Sequence, residues 1–148
     1  MLLSDEIANY DLYKKKGPYK TDKLFVKGFK FYADGALGSR GACLLQPYGD
    51  RPAWYGFLLK DIKYYDGLAR ILVNTGFQMC THAIGDSANR AILNIYNSIL
   101  QNKNDKRWRI EHAQVIDRND FNLFGNSGIM PSLQQLMPPA ICIGLQKD

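Results

Sequence analysis

Histidine is scarce in this chain of 148 residues, which has only His82 and His112 and no H-x-H pair. Cysteine is scarce too. Cys43, Cys80 and Cys142 are odd in number, far apart and without a C-x-x-C, which removes a disulfide framework or a thiolate zinc site as the organising feature. Unpaired cysteines suit a reducing compartment, so a cytoplasmic location is expected. No stretch approaches the roughly 18 apolar residues of a membrane span, and the opening MLLSDEIANYDLYKKKG lacks a charged start followed by an apolar run. Neither a membrane partner nor export is therefore expected. Charge of one sign is only mildly in excess, at a net +5, and much of it gathers at Lys14, Lys15, Lys16, Lys20, Lys23 and Lys27. That run reads as a solvated segment, not a nucleic-acid footprint.

What is present is a globular composition, with 46% hydrophobic and 12% aromatic residues, enough to bury one core. Residues 5–22 read as a short helix and a loop broken by Gly17 and Pro18. LFVKGFKFY, residues 24–32, alternates with period two and predicts a strand that stops at Ala33-Asp34-Gly35. A glycine- and proline-rich stretch follows, with the length of a functional loop. Residues 61–76 place Ile62, Tyr65, Leu68, Ala69 and Leu72 on one helical face, with Asp61 as N-cap and Gly76 as the stop. FQMCTHA predicts a buried strand, and DSANRAILNIYNSILQN a helix with Ala88, Ile92, Ile95 and Ile99 inward. RWRIEHAQVI, DRNDFNLFGNSG and IMPSLQ continue as strand, short helix and strand.

Strands alternating with helices make an α/β protein with a parallel sheet. Four strands suit either a small open sheet or about half of a (β/α)8 barrel, which typically needs about 250 residues. Periodicity does not separate the two.

The two histidines occupy equivalent places, T-H-A at the end of one strand and E-H-A at the end of another. One βα unit apart, such residues meet on the C-terminal face of a parallel sheet, where α/β proteins build their sites. Two readings stand: imidazoles hydrogen-bonded to nearby backbone, or imidazoles sharing one metal ion. Lys30, flanked by aromatic residues in F-K-F, either snorkels to the rim or does something specific, such as accepting carbon dioxide on its amine to become an anionic bridging ligand. Asp34 and Gly35 after the first strand, and Asp86 after His82, bring carboxylates to the same rim, where each could orient a ligand or substrate. Asp86 also suits an N-cap. Arg40 is either a contact for an anionic substrate group or simply solvated, and Glu111, on the opposite strand face to His112, suggests a structural ion pair.

Together K-F-Y-A-D-G-A-L-G-S-R-G-A, T-H-A-I-G-D-S-A-N-R-A, R-I-E-H-A-Q and P-S-L-Q resemble the amidohydrolase superfamily over residues 24–134, nearest the branch that holds N-substituted formamide deformylases. The resemblance implies a (β/α)8 barrel with a divalent ion, zinc or similar and one or two in number, at its C-terminal mouth. It implies hydrolysis of a C–N bond in a small amide, formamide or cyclic imide by metal-activated water. Lys30 would be the fourth-strand lysine, His82 and His112 the fifth- and sixth-strand ligands. These three are the expected metal and catalytic residues, with Asp34, Gly35, Arg40 and Asp86 expected near substrate. The chain would then supply strands resembling the fourth to seventh.

Two of the family's usual contributions are missing from the sequence: the first-strand H-x-H and the eighth-strand aspartate that handles protons. The expectation is a fragment with residues 1–23 as a leading helix and loop, residues 24–134 as family-like βα units, and no turnover alone. A non-catalytic half-barrel is the alternative, binding metal weakly or associating through exposed sheet edges. Residues 135–148, QLMPPAICIGLQKD, depart from the family. One permitted set of codons for them, with a single cytosine restored in front, reads P-T-H-A-T-S-D-M-Y-W-A-A-E-R, which resembles the family's continuation. A lost base after the Gln134 codon is thus expected, leaving Cys142 without a role. Resequencing the locus should show codons compatible with that second frame; codons that cannot yield it would remove the frameshift.

Overall fold

The computed structural model describes residues 1–133, apart from the side chains of Ile7 and Lys14. Gln134, Cys142 and the rest of the 135–148 tail lie outside the described residues. Strand β1 (Leu2–Ser4) leads into helix α1 (Ile7–Lys16), and a small hairpin, β2 (Tyr19–Lys20) with β3 (Phe25–Val26), precedes strand β4 (Gly28–Tyr32). After a long loop come α2 (Ile62–Leu72), β5 (Gln78–Ala83), α3 (Asp86–Leu100) and β6 (Arg109–His112). A 3-10 turn (Arg118–Asp120), α4 (Phe121–Asn126) and β7 (Met130–Leu133) complete the described chain.

The main sheet runs β1-β4-β5-β6-β7, every neighbouring pair parallel. Each new strand adds beside the last without reversing direction across the sheet. A doubly wound sheet reverses at a switch point; a barrel does not. The architecture is therefore that of about half a (β/α)8 barrel, with the strand ends after β4, β5 and β6 on one rim.

One sheet face is packed against the helices and the other is unevenly covered. Phe29, Phe31, Met79, Thr81 and Ile110 are essentially without solvent exposure and face the helices. On the alternate positions Tyr32 is 50% exposed. The helices dock where their sequence periodicity turns: Tyr65, Ala69 and Leu72 of α2, and Ala88, Ile92, Leu93, Ile95, Tyr96 and Leu100 of α3, are buried. Helix α1 adds aromatic contacts, with Tyr10 stacked on Phe29 at 4.7 Å and Tyr13 edge-on to Phe77 at 6.4 Å.

Several boundaries differ from the sequence reading. The stretch 24–32 is two short strands, because Phe25 and Val26 pair back on the hairpin while the sheet strand starts at Gly28. A side chain there would collide with Leu2 (2.8 Å to its Cδ2) and crowd Gln78, so glycine lets β1 and β5 approach β4 from both sides. Strand β1 is too short for any alternation to reveal it. Helix α2 begins on the expected cap, with Asp61 accepting from the Lys63 N–H, but it ends at Leu72, not beside Gly76, and Ile62 is exposed. The N-cap of α3 is Gly85, not Asp86, and it provides no side-chain cap bond. The third strand stops at His112, where the backbone turns left-handed.

Trp108 anchors the base of this layer. It is fully buried, 5.0 Å from the Tyr96 ring, with its indole N–H donating to the Phe77 carbonyl at 3.1 Å. Trp108→Ala should lower stability by about 3 to 5 kcal/mol, through lost packing and a stranded carbonyl. Urea unfolding of the two proteins measures it; a loss below about 1 kcal/mol would contradict this packing.

Candidate metal centre

Parallel register brings the rim residues together. Tyr32 is opposite His82, and His82 is opposite Glu111, so these side chains share the face away from the helices with Lys30 and Cys80, themselves paired. His112 is one step out of this series, opposite Ala83. By simple alternation its ring would face the helices. Instead His112 has φ 74° and Ala113 φ 42°, a left-handed pair that no glycine provides. The turn brings its ring edge-on to His82 with centroids 4.6 Å apart. Non-glycine residues at positive φ carry a cost of about 1 to 3 kcal/mol, and such strain concentrates at functional sites.

The third member is Lys30, one turn of the pleat below. Its Nζ is over the Tyr32 ring at 4.9 Å, and Tyr32 in turn lies 5.5 Å from the His82 ring. Burial lowers the pKa of the Lys30 amine, opposed by the nearby Glu111 carboxylate. That favours the neutral amine that carboxylation requires. Glu111 does form the expected ion pair, accepting from Arg109 Nε at 2.7 Å, yet it does so on the same face as Lys30 and His82.

His82 carries the clearest sign of a missing partner. Its Nε2 is buried and has no hydrogen bond; Asp34 Oδ1 lies 3.4 Å away without forming one. Burial, then the neighbouring His112 and Lys30, push its pKa down to about 4, against a bond to the Gly35 backbone. The ring is therefore neutral near pH 7, the form that ligates metal. With nitrogen-to-metal distances of about 2 Å, two imidazoles on one tetrahedral ion have centroids about 5 Å apart, so rings at 4.6 Å are near enough to share a divalent ion after a small shift. Among the described residues no three His, Cys, Asp or Glu side chains are grouped to hold a metal. Lys30 lies on the same strand face and, carboxylated, could contribute a further ligand.

The remaining rim residues are held by the protein itself. Asp34 is 1% exposed and accepts three backbone N–H bonds, from Cys43 at 2.9 Å, Ile84 at 3.0 Å and Gly85 at 2.8 Å. Burial raises its pKa to about 6, and those three donors pull the other way. Gly35 packs on Gly41, donating to its carbonyl at 3.0 Å. Asp86 opens α3 and reaches back to accept from the Leu45 N–H at 2.8 Å, pinning the long loop to the rim. Arg40 is paired with Asp50 through Nε and Nη2, inside a loop that packs Leu37, Ala42, Leu44 and Tyr48 against Ile84. Tyr32, which touches both Lys30 and His82, escaped the sequence reading. Its place two residues beyond Lys30, on the same strand face, was the available signal.

Comparison with known proteins follows the same lines. The model of the amidohydrolase family matches residues 3–146. The chain is 36% identical over 126 residues to Protein LONG AFTER FAR-RED 3 of Arabidopsis thaliana, covering 84% of this chain and 22% of that protein. It is 35% identical over 127 residues to "Putative amidohydrolase YtcJ" of Bacillus subtilis (strain 168), covering 86% of this chain and 22% of that protein. An uncharacterized metal-dependent hydrolase from Pyrococcus horikoshii OT3 superposes with a TM-score of 0.79 at 25% identity, over 89% of this chain and 26% of that one. The chain thus spans less than a third of the proteins it matches.

The depressed pKa of His82 has a consequence for stability. Between pH 6.5 and about 4 the unfolded chain takes up a proton that the folded ring refuses, so this ring removes stability as the pH falls. Asp34 acts in the opposite sense, binding a proton in the fold below about pH 6 that the unfolded chain takes up only near 3.8. His82→Gln should therefore gain stability relative to the parent as the pH drops from 6.5 to 4. Urea unfolding across that range checks it; parallel profiles would show that His82 titrates normally.

Proposed function

The chain belongs to the amidohydrolase family, and on that footing we propose that it carries the lysine and the two strand-end histidines of a metal-dependent hydrolase centre. The observation that supports this most is the buried His82 Nε2 without a hydrogen bond, with the His112 ring at 4.6 Å and Lys30 on the same strand face. His82 and His112 would hold a divalent ion, zinc by resemblance, and Lys30, carboxylated, would complete or bridge it. When bound, such an ion supplies Lewis acidity toward a carbonyl oxygen and lowers the pKa of water.

The whole protein then hydrolyses C–N bonds of the amide class, formamides and cyclic imides included, with the N-substituted formamide branch favoured by its motifs. Asp34 and Asp86 serve this site by holding the rim; Gly35 and Arg40 shape the loop that borders the substrate. Because the sequence has no H-x-H and no other histidine, this chain offers a small ligand set, and we propose weak metal binding without turnover for it alone. No described helix is long and apolar enough to cross a membrane.

A second reading is favoured by the singly paired edge strands. Among the described residues β1 and β7 each pair on one side only, and Tyr32 and Leu133 are exposed at 50% and 66%. Such edges suit association with another copy or a complementary segment of the same fold.

Calorimetric titration with zinc should show weak binding that falls tenfold or more in His82→Ala and in His112→Ala. A panel of formamides, amides and imides should show no turnover by this chain, and turnover once segments bearing an H-x-H pair and a strand-end aspartate are co-expressed with it. Unchanged zinc affinity in both variants would sink the assignment.

A further inference from the structure

Helix α3 places a fully buried side chain, Asn89, directly beneath the turn that follows His82. Its Nδ2 group is within hydrogen-bond distance of four carbonyls: Ala83 at 3.2 Å, Ile84 at 3.3 Å, Gly85 at 2.9 Å and Val115 at 3.1 Å. The first three immediately follow His82, and the fourth belongs to the segment after His112. Two backbone bonds already lace these segments, Ala113 N–H to the Ala83 carbonyl at 3.1 Å and Val115 N–H to the Ile84 carbonyl at 2.9 Å. An amide whose two hydrogens are shared among four acceptors has one orientation open to it, and it ties both histidine-bearing ends to one helix turn.

We propose that Asn89 is a positioning residue that sets the spacing of the His82 and His112 rings. This rests on the reading that the two rings share a metal ion, but the spacing itself exists without metal. The same helix offers a matched control in Asn97. Its Nδ2 donates to the Leu93 carbonyl at 2.9 Å and the Leu123 carbonyl at 2.8 Å, and like Asn89 its Oδ1 is buried without a partner. Asn97 joins helices away from the rim; Asn89 joins the rim.

Because the chain has only two histidines, imidazole NMR signals report on this site alone. In the metal-free chain, Asn89→Ala should shift both sets of ring signals, weaken the proton contact between the two rings, and lower zinc affinity tenfold or more. Asn97→Ala should lose comparable stability with ring signals as in the parent. Asn89→Ser retains a hydroxyl able to bond the carbonyl four residues back, Gly85, but too short for Val115. Its effect should fall on His112 and spare His82. Parent-like rings and ring contact in Asn89→Ala, or unfolding of both Asn89 variants, would overturn the proposal by making Asn89 an ordinary core residue. If the parent binds no zinc, the metal reading fails, and the ring contact still decides the role of Asn89.

Discussion

The buried carboxylate of Asp34 is the interaction on which the rim depends. It leaves β4 pointing across the strand ends and accepts N–H groups from Cys43 in the long loop and from Ile84 and Gly85 at the start of α3. Removing a carboxylate from water is expensive, and three backbone donors offset part of that cost. One side chain thus joins the end of β4, the loop and the β5–α3 turn. The turn is gripped from its other side by Asn89, which takes the carbonyls as Asp34 takes the N–H groups. Gly85 has to be glycine here, since a Cβ would lie 2.0 Å from the Cys43 carbonyl oxygen.

This double grip leaves His82 little freedom. Its neighbours supply no hydrogen bond to Nε2, although burying a polar atom without one costs about 1 to 3 kcal/mol. His112 adds a left-handed backbone, again unfavourable. Two local penalties converge on the pair of rings proposed above to share an ion, and a large core surrounds them. Phe29, Phe31, Phe77, Trp108 and Tyr96 are all essentially without solvent exposure beneath the rim.

Much of this was readable in the sequence because strand and helix periods are local. The α/β class, the helices at α2 and α3, the placing of Lys30 within its strand and of His82 and His112 at strand ends, and an ion pair for Glu111 all follow from alternation and from equivalent positions in successive units, although Arg109 as its partner does not. What escaped depends on register and on distant partners. That His112 is paired with Ala83, and must turn left-handed to rejoin His82, cannot be seen in E-H-A. Asp34 and Asp86 read as groups able to orient a ligand or substrate, Asp86 also as an N-cap, since the backbone N–H groups of Cys43, Ile84, Gly85 and Leu45 that occupy them are about 10 to 50 residues away. Nothing local sets Asn89 apart; four carbonyls converge on it only once the two strand ends are side by side.

The central claim is that His82 and His112 ligate the same ion. X-ray absorption at the zinc edge, on this chain loaded with one equivalent of zinc, tests it most directly. The account predicts two imidazole nitrogens in the first coordination shell, falling to one in His112→Gln. A shell of oxygen alone, or one unchanged by that substitution, would contradict it.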